Sequence, residues 1–185
     1  MDTLKFTVLE NIQRNNLFTR KDKLLVSFSG GPDSSVLVDL LIKLNFKNIH
    51  LIYFNHQLRN KTEINKELKK VKSIAKSYKR PLRIMKLPVS YCVKKFRISE
   101  EMAGHTLRKY VLQKLAHFYQ ASTILTGHHH DDVIETCLLQ LERGNIFHLG
   151  LPMIEDNNNS IPTIRPLYTV YKKHILAYAK THNLI

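Results

Sequence analysis

Residues 23–35, KLLVSFSGGPDSS, constrain the fold more than any other stretch. Leu24, Leu25, Val26 and Phe28 form a short apolar run, which reads as a buried strand. Ser29, Gly30, Gly31, Pro32, Asp33 and Ser34 follow. Val36, Leu37, Leu40, Leu41 and Leu44 then recur at helical spacing. A strand, a glycine loop and a helix start make an anion cradle. Glycines let successive N–H groups converge on one point. Pro32 suits the opening turn, where its missing donor costs little. The helix N-terminus adds about half a positive charge. Ser29, Ser34 and Ser35 offer hydroxyls. Asp33 would repel a phosphate unless a divalent cation lay between them, as magnesium does with one or two carboxylates. A turn that merely needs glycine is the plainer alternative, but strand, glycines, proline and Asp-Ser-Ser all agree on the cradle. The Walker pattern, with Gly-Lys-Ser/Thr after four spacers, is absent.

The rest of the chain repeats the alternation. Residues 3–17 read as a leading helix with Leu4, Val8 and Ile12 on one side. NIHLIYFN, 48–55, is nearly continuous in apolar residues, as in a parallel sheet covered on both faces. It ends in NHQLR, at the strand end where such sheets place their sites, and His56 is a candidate nucleotide contact. Thr62 is expected to cap the next helix, with Ile64, Leu68, Val71, Ala75 and Tyr78 inward. Its lysine row, including Lys66, Lys69 and Lys70, fits a solvated face as well as an RNA track. PLRIMKLPV, 81–89, reads as a third strand, followed by a loop through Cys92 and Arg97. Ser99 caps a helix over 99–119, expected to bury Ala103, Leu107, Tyr110, Val111 and Phe118. Glu101, His105 and Arg108 form a polar stripe on it.

STILTG, 122–127, is a fourth strand running into His128, His129, His130, Asp131 and Asp132. The helix beyond is expected to pack Val133, Cys137 and Leu141, and it places Asp132 and Glu135 on one face. Carboxylates and imidazoles at a strand end are costly to bury without a partner. The three histidines lack zinc spacing and are weak evidence for that metal. Residues 141–160 are loop-rich, IPTIRPL is a fifth short strand, and Tyr171, Ile175 and Ala179 mark a last helix. The fold expected is α/β: one domain over 1–185, with a doubly wound, mainly parallel five-stranded sheet and helices on both faces.

Charge adds a partner class. The 29 basic and 15 acidic residues leave +14, the footprint of a nucleic-acid ligand, although AT-rich coding also raises lysine. No run of about 18 apolar residues exists, so no membrane span is expected. The N-terminus lacks the basic and apolar pattern of a secretory signal. Two distant cysteines, Cys92 and Cys137, suggest a reducing compartment and no redox dithiol.

SGGPDS at 29–34 resembles the loop of the N-type ATP pyrophosphatases. With NHQLR at 55–59, EEMAGHTLRK at 100–109, TGHHHDDVIET at 126–136, LERGN at 141–145, GLPM at 150–153 and IRPL at 164–167, the chain resembles the catalytic domain of tRNA(Ile)-lysidine synthases. The resemblance implies ATP and Mg2+ as cofactors, and L-lysine and the CAU-anticodon isoleucine tRNA as substrates. It implies nucleotide contacts from Ser29 to Ser34 and His56. Asp33, Arg108, Asp132 and Glu135 would be catalytic, with Asp33 and Asp132 holding magnesium. Glu101, His105, His128, Arg143 and Arg165 would contact substrate. The expected compartment is the cytoplasm, or the plastid stroma if the gene is organellar. His105, Lys109 and Val133 depart from the family's usual Arg, Tyr and Gln. The family's C-terminal tRNA-binding domains are not seen, so a second chain or a homodimer is one source of tRNA binding. Another adenylating PP-loop enzyme and a non-catalytic RNA-binding remnant are the alternatives.

Overall fold

A computed structural model describes residues 3–142, 153–154 and 160–184. The chain runs α1 (Thr3–Arg14), β1 (Leu24–Ser27), α2 (Pro32–Lys43), β2 (Ile49–Asn55), α3 (Lys61–Ser77), β3 (Leu82–Lys86) and α4 (Val89–Phe96). It continues through α5 (Glu100–Phe118), β4 (Thr123–Leu125), α6 (His130–Glu142), β5 (Met153–Ile154), β6 (Thr163–Ile164) and α7 (Lys172–Thr181). The strands form one sheet in the order β3-β2-β1-β4-β6-β5. Five are parallel, as expected; β5 adds an antiparallel edge, pairing Met153 with Ile164.

Alternation along the strands divides the core between two faces. Leu24, Val26, Ile49, Leu51 and Tyr53 point one way, against Val8, Val36, Leu40, Val71, Ala75 and Ile175. Leu25, Ile52, Phe54 and Ile124 point the other way, against Val89, Ala103, Leu112 and Ala116. Complete burial of a Leu or Val contributes about 1.5–3 kcal/mol. The crossovers from β1 to β2 to β3 run in one direction along the sheet and put α2 and α3 on one face. The chain then returns by α4 and α5 on the opposite face, so β4 lies beside β1. The direction of winding reverses between β1 and β4, which opens a crevice at their carboxyl ends.

Several local expectations are corrected. Residues 89–96 form α4 rather than a loop, ended by Arg97 in the left-handed conformation at φ 53°. Asn60, not Thr62, caps α3, in a reciprocal capping box with Glu63. Asn60 wins because its side chain accepts from the Glu63 N–H while Glu63 reaches back to the Asn60 N–H. On α5, Tyr110 and Phe118 are exposed; small Ala103, Gly104 and Ala116 bring the helix close to the sheet, and Leu112 fills the gap. Leu141 is exposed too. Among the described residues, no helix is long and apolar enough to cross a membrane.

Candidate active site

The crevice at the switch point is a cleft of about 350 Å³. One wall is the loop from β1 into α2. Gly30 sits at φ +73°, and a Cβ there would fall 2.8 Å from Val71 Cγ2. Only glycine meets both the backbone and the packing demand. Ser34 Oγ receives the Ser29 N–H at 3.2 Å and lies 3.0 Å from Ser29 Oγ, while Ser29 Oγ accepts from the Gly31 N–H. These bonds fix the loop from within. Gly31 is the N-cap of α2 and supplies no side-chain cap, so the helix's first-turn donors and dipole are left to a ligand.

The second wall comes from the loop between β4 and α6. Gly127 lets it close on the first: a Cβ would stand 3.1 Å from the Ser34 backbone nitrogen. Asp132 Oδ2 accepts the His129 N–H at 2.8 Å and so caps its own helix. His128 meets Thr126 Oγ1 at 2.9 Å and lines the cleft. Desolvation by the cleft walls, then the Arg165 charge, lowers the His128 pKa to about 4, with Asp132 opposing. The ring is exposed to the cleft, and solvent there moderates the shift.

The floor and far side are Leu112, Ile124, Thr163, His105, Lys109, Arg108 and Arg165. Burial lowers the pKa of both guanidinium groups, yet arginine stays charged at neutral pH. The Nε of each is buried without a hydrogen-bond partner among the described residues. Buried cationic donors without partners, beside an uncapped helix start, are suited to an anion with several oxygens.

Of the candidate residues, the cleft therefore brings together Ser29, Asp33, Ser34, His105, Arg108, His128, Asp132 and Arg165. Gly30, Gly31 and Pro32 shape the loop behind them. His56 stands outside the lining, against α5, where a Cβ on Gly104 would meet its ring at 3.3 Å. Desolvation, then Arg108, lowers its pKa. Glu101 and Glu135 are exposed and also outside the lining. Arg143 lies outside the described residues.

Two further residues bear on Asp33. Lys172, at the start of α7, donates directly to Asp33 Oδ1. Its backbone N–H goes to Asp131 Oδ2 at 2.8 Å, which holds the Asp131 carboxyl below its ordinary pKa. His129 is buried, with Nε2 3.9 Å from Asp33 and Nδ1 3.4 Å from Asp132. The histidine run signalled His129 without distinguishing it from its neighbours; no sequence pattern marks Lys172.

Among the described residues, no three His, Cys, Asp or Glu side chains group into a self-sufficient metal site. Asp33 and Asp132 in one cleft nonetheless match magnesium, which takes one or two carboxylates and draws its other oxygens from phosphate and water.

A parallel sheet with a glycine loop and an acidic loop facing each other at its switch point defines an α/β anion-binding protein. The chain belongs to the PP-loop domain family, which matches residues 4–185. It is 31% identical over 180 residues to a tRNA(Ile)-lysidine synthase of Caldanaerobacter subterraneus, covering 96% of this chain and 38% of that protein. It is 34% identical over 188 residues to the Thermosipho africanus enzyme of that name, covering 100% and 43%. The cytoplasmic tRNA 2-thiolation protein 1 of Dictyostelium discoideum is 30% identical over 193 residues, at 94% and 53% coverage. A U34-tRNA thiolase from Methanococcus maripaludis superposes with a TM-score of 0.80 at 18% identity, over 98% of this chain and 64% of that one, a likeness of fold alone. The chain thus spans about two fifths of the lysidine synthases it matches.

Proposed function

We propose that this chain is the catalytic domain of a tRNA(Ile)-lysidine synthase. The observation that carries the proposal is the meeting of four separated motifs in one cleft: Ser29 and Ser34, Arg108, His128 with Asp132, and Arg165. ATP adenylates the C2 oxygen of the wobble cytidine and pyrophosphate leaves. The lysine ε-amine then attacks C2 and expels AMP, giving lysidine. The Ser29–Ser34 loop and the α2 N-terminus receive the leaving pyrophosphate. Asp33 and Asp132 would hold magnesium, which would neutralise phosphate charge. Arg108 and Arg165, already desolvated, stabilise charge that builds between the α- and β-phosphates. Leu112 and Ile124 offer an apolar surface to a flat ring. Asp132 is the carboxylate in this part of the cleft that would meet either magnesium or the lysine ammonium, and Glu135, one turn further on and outside the lining, adds negative charge. The +14 charge supports contact with the tRNA backbone in the cytoplasm or a plastid, with a second chain or a homodimer adding tRNA contacts.

The Dictyostelium discoideum relative, named a tRNA 2-thiolation protein, favours a second reading, tRNA thiolation. Thiolases are expected to bring cysteines to the cleft, whereas Cys92 lies on α4, Cys137 on α6, and neither lines it. ATP–pyrophosphate exchange, run with and without the CAU-anticodon isoleucine tRNA and then with lysine, separates the readings. Exchange that depends on that tRNA, followed by lysine incorporation, is expected. Exchange with no lysine incorporation, together with sulfur transfer to the tRNA, would overturn the proposal.

A further inference from the structure

The outer face of α4 is aromatic and cationic. Its inner side is settled: Val89 is buried, and Cys92 and Val93 pack against the second core. Tyr91 and Phe96, by contrast, are 60% and 58% exposed. Lys95 Nζ lies 5.6 Å from the Tyr91 ring centre and 5.4 Å from that of Phe96. An exposed cation–π contact is weak and uses one face of each ring, leaving the other to solvent. Charge here is one-signed. Residues 86–97 carry Lys86, Lys94, Lys95 and Arg97, all exposed, and no acid.

The position matters as much as the composition. α4 starts three residues after β3 and therefore stands at the carboxyl edge of the sheet, on the same edge as the cleft. It packs on α5, which carries Arg108 into the cleft. We infer that the α4 face, centred on Tyr91, Lys95 and Phe96, is a stacking platform for unpaired RNA bases leading to the cleft. Rings with an open face bind bases of any identity, and lysines between them meet the phosphates. Paired RNA cannot present its base faces and gains only the charge. This inference rests on the proposed tRNA-modifying function and assigns its substrate a surface.

The test is fluorescence anisotropy with the 185-residue chain. The probes are a labelled RNA hairpin with an unpaired loop and a fully paired duplex of equal length. Tyr91→Ala and Phe96→Ala should each weaken hairpin binding by about fivefold or more and leave duplex binding nearly unchanged. Tyr91→Phe should restore parental affinity, which a folding defect would not permit. Lys95→Gln should weaken both RNAs and flatten the salt dependence by about one ion. Unchanged hairpin binding in the double alanine variant overturns the inference. So does an equal loss for hairpin and duplex, or a change of molecular mass in solution without a change in RNA binding, which would make the face a protein contact. Pyrophosphate release is measured in parallel. Loop binding through Tyr91 without ATP turnover would sink the proposed function alone; turnover with unchanged binding in the variants would sink the platform alone.

Discussion

The two loops that meet at the switch point are built in opposite ways. The first, from β1 to α2, is organised by glycine backbone and serine hydroxyls and leaves its helix without a side-chain cap. The second, from β4 to α6, caps its helix with Asp132 and buries His129 among carboxylates. The first loop keeps its donors for a ligand. The second uses its acceptors twice, once to start a helix and once to face the cleft. A binding surface can thus be left open by backbone geometry, or held ready by side chains already engaged with the fold.

The carboxylates of the two loops give the largest effects. Asp33→Ala should lower magnesium-dependent ATP turnover at least about a hundredfold with little loss of stability. Asp132→Ala should lose comparable activity and, because its bond to the His129 N–H goes with it, about 1 kcal/mol of stability. Turnover kinetics and urea midpoints measure both; an equal midpoint for the two variants would break the contrast.

Arg108→Ala asks whether the cationic wall acts on the transition state. Turnover should fall by about tenfold to a hundredfold, more than the apparent affinity for ATP weakens. A loss confined to stability, with normal kinetics per folded molecule, would return Arg108 to a structural role.

The glycines of the two loops differ in what they contribute to stability. Gly30→Ala combines a left-handed φ with a 2.8 Å contact and should cost about 2 kcal/mol. Gly127→Ala lacks the left-handed φ and meets backbone at 3.1 Å, so its cost should be nearer 1 kcal/mol. Reversed order in thermal unfolding would show that loop-to-loop closeness, not backbone conformation, governs the site.

Lys172→Met removes the tie between α7 and Asp33. Both partners are about a third exposed, so the stability loss should stay below about 1 kcal/mol. The magnesium concentration needed for half-maximal turnover should fall, since Asp33 is freed from a competing cation; an unchanged requirement would leave Lys172 a purely structural strut.

The smallest effect is in pH. The unfolded chain protonates His128 near pH 6.5, whereas the folded protein resists protonation until about pH 4. Below pH 6.5 the unfolded chain therefore binds the extra proton, and stability falls as pH drops from 6.5 towards 4, with no effect above that window. Exposure to the cleft keeps the change small. His128→Gln should lose less stability than the parent between pH 7 and 5; equal losses would remove His128 from the balance.

Legibility followed locality. The glycine loop, the alternating strands and the Ser99 cap were readable because each depends on neighbours within a few residues. α4 was missed because Pro88 and a mixed apolar pattern hid one helical turn and its successor. β5 was missed because a two-residue strand is held by backbone bonds that need no side-chain pattern. Helical spacing gives Tyr110 and Phe118 a face but not its depth, and small residues on α5 set that depth.

By itself the sequence determined the layered α/β architecture and where its anion loop lies, since periodicity and glycine conformations act over short range. Tertiary structure alone decided which of three consecutive histidines turns inward. It also decided that Lys172, 139 positions along the chain, reaches Asp33. An ion pair between two helices on one face of the sheet depends on the winding that brings α7 beside α2, and no local preference of either residue encodes that meeting.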